Sequence, residues 1–234
     1  MIRSIRSMPL LFLLLIAMAG KSQDVNTLLT KVKFNIDKVN DYEASARMIT
    51  NVTFLKVPDA DVKVYFKKPN KLKIKNEKGI SFVPKGAVSI NLNNILSGGK
   101  YTAIDAGKDK IGTTVVRVIK LLPEDDNADV VLSTVYIDEA ALVIRRAKTT
   151  TRANGSYQLE MSYGKYATYG LPDKIIFSFD TKDYKLPKGV TFDFDDGTQN
   201  NKTAADKAKA KNGSAEITFH FYVINKGILD DVFK

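Results

Sequence analysis

Few side chains in this sequence could carry out catalysis. The chain has one histidine, His220, and no cysteine. His220 falls between Phe219 and Phe221 in an alternating run, which predicts that it lies on the polar side of a strand. A serine nucleophile would depend on that single imidazole for activation, and a cysteine nucleophile is not available. We therefore predict that the protein is not an enzyme.

Two short acidic clusters come nearest to a metal or glycosidase site. Residues 193–197 read Asp-Phe-Asp-Asp-Gly, but Ala204 stands at the twelfth position, where a calcium-binding loop needs glutamate. The acidic run at 124–126 follows Pro123 and is typical of a turn. Several acidic residues would serve equally well as a glycosidase pair. We expect no metal and no cofactor, and a hydrolase with an unrecognised carboxylate site remains an alternative.

The first 23 residues have the pattern of a secretory signal peptide. Two arginines precede an apolar run at 10–16, and small residues follow it, among them Ala17 and Ala19. The run is shorter than the about 20 residues that span a bilayer, although an N-terminal membrane anchor is the alternative. We predict that residues 1–23 are removed on export and that residues 24–234 form a single domain.

The formal charge of the whole chain is +10 at pH 7. For an exported protein, this charge favours anionic lipid headgroups or acidic glycans over nucleic acid as partners. The alternative is that the lysines simply keep the polar face of a sheet in solution.

Apolar and polar residues alternate along most of the chain, which predicts strands with one apolar and one polar face. Many such strands in succession build a large antiparallel sheet whose apolar face must be covered. A filled core remains an alternative to a hollow interior, because alternation does not reveal what lies opposite the face. The main stripes are Ala44, Ala46, Met48, Val52 and Phe54; Val62, Val64 and Phe66; Tyr157, Leu159, Met161 and Tyr163; Ile175, Phe177 and Phe179; Val190, Phe192 and Phe194; and Ile217, Phe219, Phe221 and Val223.

One segment has helical spacing instead. Asp24 is a good N-cap residue, and the residues to about Lys38 carry a single apolar stripe that could lie across the sheet as a cover. The stripe consists of Val25, Leu28, Leu29, Val32, Ile36 and Val39.

Residues 65–72, Tyr-Phe-Lys-Lys-Pro-Asn-Lys-Leu, resemble the basic-Pro-Asn-hydrophobic motif of the outer-membrane lipoprotein carrier proteins, the LolA and LolB-like family. The runs at 121–123, 171–172 and 225–228 are also similar to the family. The resemblance implies a mainly β (α+β) fold: an unclosed, strongly curved antiparallel β-barrel with a helical lid and a hydrophobic cavity.

It also implies a monomeric periplasmic carrier, or chaperone, that binds the acyl chains of lipoproteins. Such a carrier would accept acylated lipoproteins from an inner-membrane releasing complex and pass them to an outer-membrane acceptor, with no nucleic acid involved. The alternative is a lipid- or glycolipid-binding module of the cell envelope that does not transport.

The expected cavity lining is derived from the stripes and the resemblance: Met48, Phe54, Val64, Phe66, Leu72, Ile74, Leu159, Met161, Phe177, Phe179, Phe192, Phe194, Phe219 and Phe221. Lid contacts are expected from Leu28, Leu29, Val32 and Lys68. Lys68 stands where the family often has an arginine that fastens the lid. Because lysine lacks the planar five-donor fork of arginine, an exposed lysine at a strand end is the alternative.

Overall fold

The computed structural model describes residues 24–51, 59–69, 71–76, 100–153, 155–180 and 212–233. The predicted signal peptide and the stripe at 190–194 lie outside these residues. None of the helices in the described ranges is long and apolar enough to cross a membrane.

The helix α1 (Val25–Asp37) begins the described chain, and strands make up most of the remaining described residues. Two 3₁₀ turns, Ala167–Tyr169 and Asp230–Phe233, complete the regular structure of the described part. The strands are β1 (Asp41–Asn51), β2 (Ala60–Lys67), β3 (Lys71–Asn76), β4 (Tyr101–Ile111), β5 (Thr114–Pro123), β6 (Val130–Asp138), β7 (Val143–Thr151), β8 (Gly155–Ser162), β9 (Lys174–Asp180) and β10 (Asn212–Ile224).

These strands form one antiparallel sheet in the order β3-β2-β1-β10-β9-β8-β7-β6-β5-β4. Pairing of β1 with β10 joins the two ends of the described chain in the middle of the sheet. Strands β3 and β4 are the two edges, so the sheet is not closed. The predicted fold class is confirmed: mostly β, an open, curved antiparallel barrel with a helical lid.

The predicted helix is also confirmed, and its cap is visible. The Asp24 carboxylate accepts a hydrogen bond from the amide of Thr27 at 3.2 Å, which satisfies one of the free amides at the helix start. The stripe of Leu28, Leu29 and Val32 is at most 3% exposed. The helix therefore lies with its apolar side against the concave face of the sheet.

A β-bulge changes the phase of β10. Ser45 pairs with Phe221, but Ala46 pairs with Phe219, so His220 is an extra residue opposite β1. Beyond the bulge Tyr222 turns inward and is buried, whereas Phe221 turns outward and is 50% exposed. The prediction that Phe221 shares a face with Phe219 is therefore wrong, because it assumed strict alternation through the strand.

The buried carboxylate of Asp138 organises the turn between β6 and β7. It accepts hydrogen bonds from the amides of Ala140 (3.1 Å) and Ala141 (3.0 Å). Arg145 donates to it through Nε at 3.2 Å and Nη2 at 2.9 Å. Burial alone would raise the pKa of Asp138, but these donors outweigh it and hold the pKa below its ordinary value.

Replacing Asp138 with asparagine should lower the free energy of unfolding by about 1.5–3 kcal/mol at pH 7, because a charged acceptor of four hydrogen bonds is lost. Since the pKa is lower in the folded state, the carboxylate stabilises the fold fully above its ordinary pKa of 3.8. That contribution is lost as the pH falls further, towards the folded-state pKa. Urea denaturation of both proteins should show their difference shrinking below about pH 4.

Glu139→Gln removes a carboxylate from the same turn and is the control, expected to change the stability by less than about 0.5 kcal/mol. A difference between wild type and Asp138→Asn that stays constant from pH 7 to pH 3 would contradict the role given to the charge.

Candidate functional site

The concave face of the sheet is the candidate site, and its buried apolar residues fall into two groups. The first, called the helix-side cluster, joins α1 to strands β5 to β9. Its members are at most 7% exposed: Leu28, Leu29, Val32, Ile119, Leu121, Val135, Ile137, Ile144, Ala147, Leu159, Met161, Phe177 and Phe179.

The second group, called the ribbon-side cluster, lines strands β1 to β3 and β10. It is covered by Val39, which follows the helix, and by Leu171 from the turn before β9. Its members are at most 8% exposed: Val39, Ala44, Ala46, Met48, Val62, Val64, Phe66, Ile74, Leu171, Phe219 and Tyr222.

Most of the residues expected to line a cavity therefore lie on one face. The helix-side cluster contains Leu159, Met161, Phe177 and Phe179. The ribbon-side cluster contains Met48, Val64, Phe66, Ile74 and Phe219, and Leu72 packs against it. Phe54, Phe192 and Phe194 lie outside the described residues, and Phe221 lies on the opposite face. That these residues line a cavity for a ligand stays a prediction.

The low exposure of both clusters has a direct consequence for binding. Helix α1 and the turn at 166–171 occupy the concave face, so the surfaces of these apolar side chains are covered by protein in this conformation. For any guest on the concave side, α1 covers the helix-side cluster in this conformation. The face offers such a guest apolar contact area rather than a reactive group.

Polar contacts hold the carboxyl end of the helix. Lys68 Nζ donates to the carbonyl oxygen of Asp37 at 2.6 Å and lies 3.5 Å from its carboxylate. A cation at this end also suits the helix dipole. Lys38 Nζ donates to the carbonyl oxygen of Thr168 at 3.2 Å, which ties the helix end to the turn before β9. The contact between Lys68 and the helix is thus present, and its function as a latch stays a prediction.

Asn225 fixes the short connection between α1 and β1. Its side-chain oxygen accepts from the amide of Asn40 at 2.7 Å, and its side-chain nitrogen donates to the carbonyl of Lys38 at 2.8 Å. Its φ of +56° is in the left-handed region, where asparagine is tolerated better than most residues. Residues 38–40 are therefore held to the end of β10.

Tyrosines supply the polar atoms of the ribbon-side cluster. Tyr222 packs against the rings of Tyr42, Tyr166 and Phe219 at 5.0–5.2 Å between centroids. Its hydroxyl donates to the carbonyl of Pro172 at 2.7 Å. Burial raises the pKa of Tyr42 and of Tyr222 well above the ordinary value, so both phenols are neutral at physiological pH. These two phenols therefore add no charge to this part of the face.

One ion pair does lie on the inward side of the sheet, near the β4–β5 hairpin. Arg117 donates through Nε to the carboxylate of Asp105 at 2.9 Å and makes a second contact through Nη2. The bond from Arg117, then that from the Gly107 amide, lowers the pKa of Asp105. The sequence analysis did not single out this pair; β4 continues to Ile111, which places Asp105 within the strand beside β5.

Among the described residues, no group of three or more histidine or acidic side chains could hold a metal ion. The acidic run at 193–197 lies outside the described residues. His220 is exposed at the bulge, away from both clusters.

Protein-family models and curated protein sequences give no match to this chain. Among solved structures, it is similar to a domain from Vibrio parahaemolyticus described as an outer membrane lipoprotein-sorting protein. The two share 12% identity with a TM-score of 0.54, over 88% of this chain and 94% of that one. A DUF1329 family protein from Desulfovibrio piger shares 12% identity with a TM-score of 0.54, over 90% of this chain and 97% of that one.

A LolA superfamily protein from Nitrosomonas europaea aligns with 10% identity and a TM-score of 0.48, over 89% and 96% of the two chains. The first two structures show that the chain shares their fold. The resemblance predicted from residues 65–72 is confirmed at that level.

Proposed function

We propose that the protein is a periplasmic carrier that binds the acyl chains of lipoproteins on its concave face after α1 moves aside. One observation carries the proposal: a single amphipathic helix, tied at its carboxyl end, covers the helix-side cluster of an open sheet. The fold shared with a lipoprotein-sorting domain supports it.

The free energy gained by burying the helix stripe is comparable with that gained by burying a long acyl chain on the same face. Each of Leu28, Leu29 and Val32 gains about 1.5–3 kcal/mol from burial. Each acyl methylene that leaves water gains about 0.8 kcal/mol. On the order of ten methylenes can therefore replace the helix stripe, so a long acyl chain competes with the helix and can also be released.

The proposed carrier works without catalysis, as a monomer, between an inner-membrane releasing complex and an outer-membrane acceptor. Methionine suits such a face, because its flexible side chain adapts to guests of different shape. The helix-side cluster contains Met161, and the ribbon-side cluster contains Met48. Binding without transfer between membranes would instead favour a fixed lipid- or glycolipid-binding module of the envelope.

Protein purified from cells should carry acyl species that mass spectrometry detects after lipid extraction, and the delipidated protein should take up a fluorescent fatty acid. Phe177→Ala should weaken this uptake at least about tenfold, because a large ring of the helix-side cluster is lost. Phe221→Ala is the control, since it removes the same side chain from the opposite face of the sheet, on the neighbouring strand β10.

Uptake should be compared at a temperature at which circular dichroism shows both variants folded. Absence of acyl species together with absence of uptake would contradict the carrier. Equal uptake by the two variants would contradict binding on the concave face.

A further inference from the structure

The outward side of α1 carries an aromatic residue where a surface helix usually carries polar ones. Phe34 is 66% exposed, on the side of the helix away from the buried stripe. Tyr169, in the turn next to the helix end, is 38% exposed. Lys38 connects the two, because its Nζ lies 5.1 Å from the Phe34 ring centroid and bonds the carbonyl of Thr168.

Two further exposed lysines lie near these residues along the chain. Lys31 lies three residues before Phe34 and shares its side of the helix, and Lys165 is exposed in the turn that Lys38 contacts. Two acids lie nearby: Asp37, which pairs with Lys33 at 2.7 Å and with Lys68 at 3.5 Å, and Asp173, whose carboxylate lies against Gly164, next to Lys165. Lys31, Lys33, Lys38, Lys68 and Lys165 outnumber these two acids, so the patch keeps a positive charge. We call Lys31, Phe34, Lys38, Lys165 and Tyr169 the lid patch.

We propose that the lid patch binds the surface of an anionic lipid bilayer. Aromatic rings prefer the headgroup level of a membrane, and lysines around them attract acidic headgroups. A protein partner fits this composition less well, because protein interfaces favour arginine and are depleted in lysine. Within residues 24–38 and 163–170 the chain has lysines but no arginine.

This binding does not depend on an acyl guest, so it stands or fails separately from the proposed carrier function. If both hold, the element that covers the concave face is also the element that meets the membrane. Contact with a bilayer would then act on the helix whose position decides whether a guest can enter or leave.

A tryptophan reporter tests the proposal directly, because the chain contains no tryptophan. Phe34→Trp and Phe221→Trp each place one in an exposed position, the first in the lid patch and the second on the outer face of β10. With vesicles of equal parts phosphatidylcholine and phosphatidylglycerol, the Phe34→Trp emission should shift to the blue and the Phe221→Trp emission should not. No shift from Phe34→Trp, or an equal shift from both, would overturn the proposal.

Charge provides a second test. The Lys31→Gln, Lys165→Gln double variant should bind the same vesicles about 25-fold more weakly in sedimentation, from about fivefold for each lysine near the surface. Lys120→Gln, Lys148→Gln removes two exposed lysines of β5 and β7 and should stay within about twofold of wild type. An equal loss of vesicle binding in both double variants would show that net charge alone attracts the protein to the vesicles. It would overturn the proposal that the lid patch binds them.

Discussion

Oxidation of a variant with Ile36→Cys and Gly170→Cys should abolish uptake of a fluorescent fatty acid, and dithiothreitol should restore it. A Cβ added at Gly170 would lie 2.9 Å from Ile36 Cγ1 and 3.6 Å from Ile36 Cα, close enough for a disulfide. Since the natural chain has no cysteine, the two introduced thiols can pair only with each other within the molecule.

The position of this disulfide explains why uptake of the fatty acid should be lost completely. Ile36 lies in the last turn of α1, and the connection at 38–40, which Asn225 holds, comes directly after it. A disulfide from Ile36 to the turn before β9 would add a second, separate attachment, and two attachments oppose rotation of the stripe away from the sheet. Uptake should then fall from saturable to undetectable.

Two controls distinguish the effect of the disulfide from destabilisation of the fold. Gly170 has a φ of +64°, so a cysteine there costs about 1–2 kcal/mol whether or not it is oxidised. The reduced double variant has the same strained cysteine at position 170 but no disulfide. It should bind the fluorescent fatty acid as the single Ile36→Cys variant does. Undiminished uptake by the oxidised protein would mean that a guest enters without movement of the helix.

The helix and the inward stripes could be predicted because their information is local. Asp24 and the spacing of Leu28, Leu29 and Val32 specify a capped helix with one apolar side before any partner is known. In β8, Gln158 and Glu160 separate Tyr157, Leu159 and Met161, so the buried face can be assigned from the period of two. In these segments the local pattern was enough to assign the buried side.

The bulge at His220 could not be predicted in this way. Residues 217–221 alternate in sequence and an apolar run follows at 221–223, so the extra residue is visible only in the pairing of β10 with β1. A bulge depends on the register of two strands that are about 175 residues apart in the chain. Phe221 was therefore assigned to the wrong face for a reason that lies outside its own strand.

Strands β5 to β7 contribute inward residues that the sequence did not single out. In β5 the apolar run is nearly continuous, and Val116 and Val118 are buried as well as Ile119 and Leu121, so alternation gives no face. Strand β7 is rich in polar residues, yet Thr149 is buried, with its hydroxyl 3.0 Å from that of Ser133. A paired hydroxyl can lie inside without penalty, and its sequence gives no sign of this.

The contacts that hold the helix end were partly foreseeable. Lys68 was expected near the lid only through the family resemblance, and the structure places its ammonium on the last carbonyl of α1. Asn225 belongs to a run that resembled the family, but its bonds to residues 38 and 40 span more than 180 positions. A contact between residues so far apart cannot be predicted from a local sequence pattern.

Truncating the same residue type on the two sides of the helix-side cluster should give opposite changes in acyl affinity. Leu29 lies on the helix and is 3% exposed, and Leu159 lies on β8 and is 2% exposed. Each change to alanine should lower the free energy of unfolding by about 2–5 kcal/mol. Leu29→Ala weakens only the cover, whereas Leu159→Ala removes part of the surface that a guest would occupy.

If the closed state competes with the guest, destabilising it raises the share of molecules ready to bind. Each 1.4 kcal/mol lost from the closed state tightens the apparent affinity tenfold until the open state dominates. We therefore expect Leu29→Ala to bind a fluorescent fatty acid at least about tenfold more tightly than wild type, and Leu159→Ala to bind it more weakly. A permanently filled core predicts equal destabilisation and no binding by either variant. The sign of the affinity change in Leu29→Ala thus distinguishes a movable lid from an ordinary packed helix, because only a lid releases binding surface when its own packing is weakened.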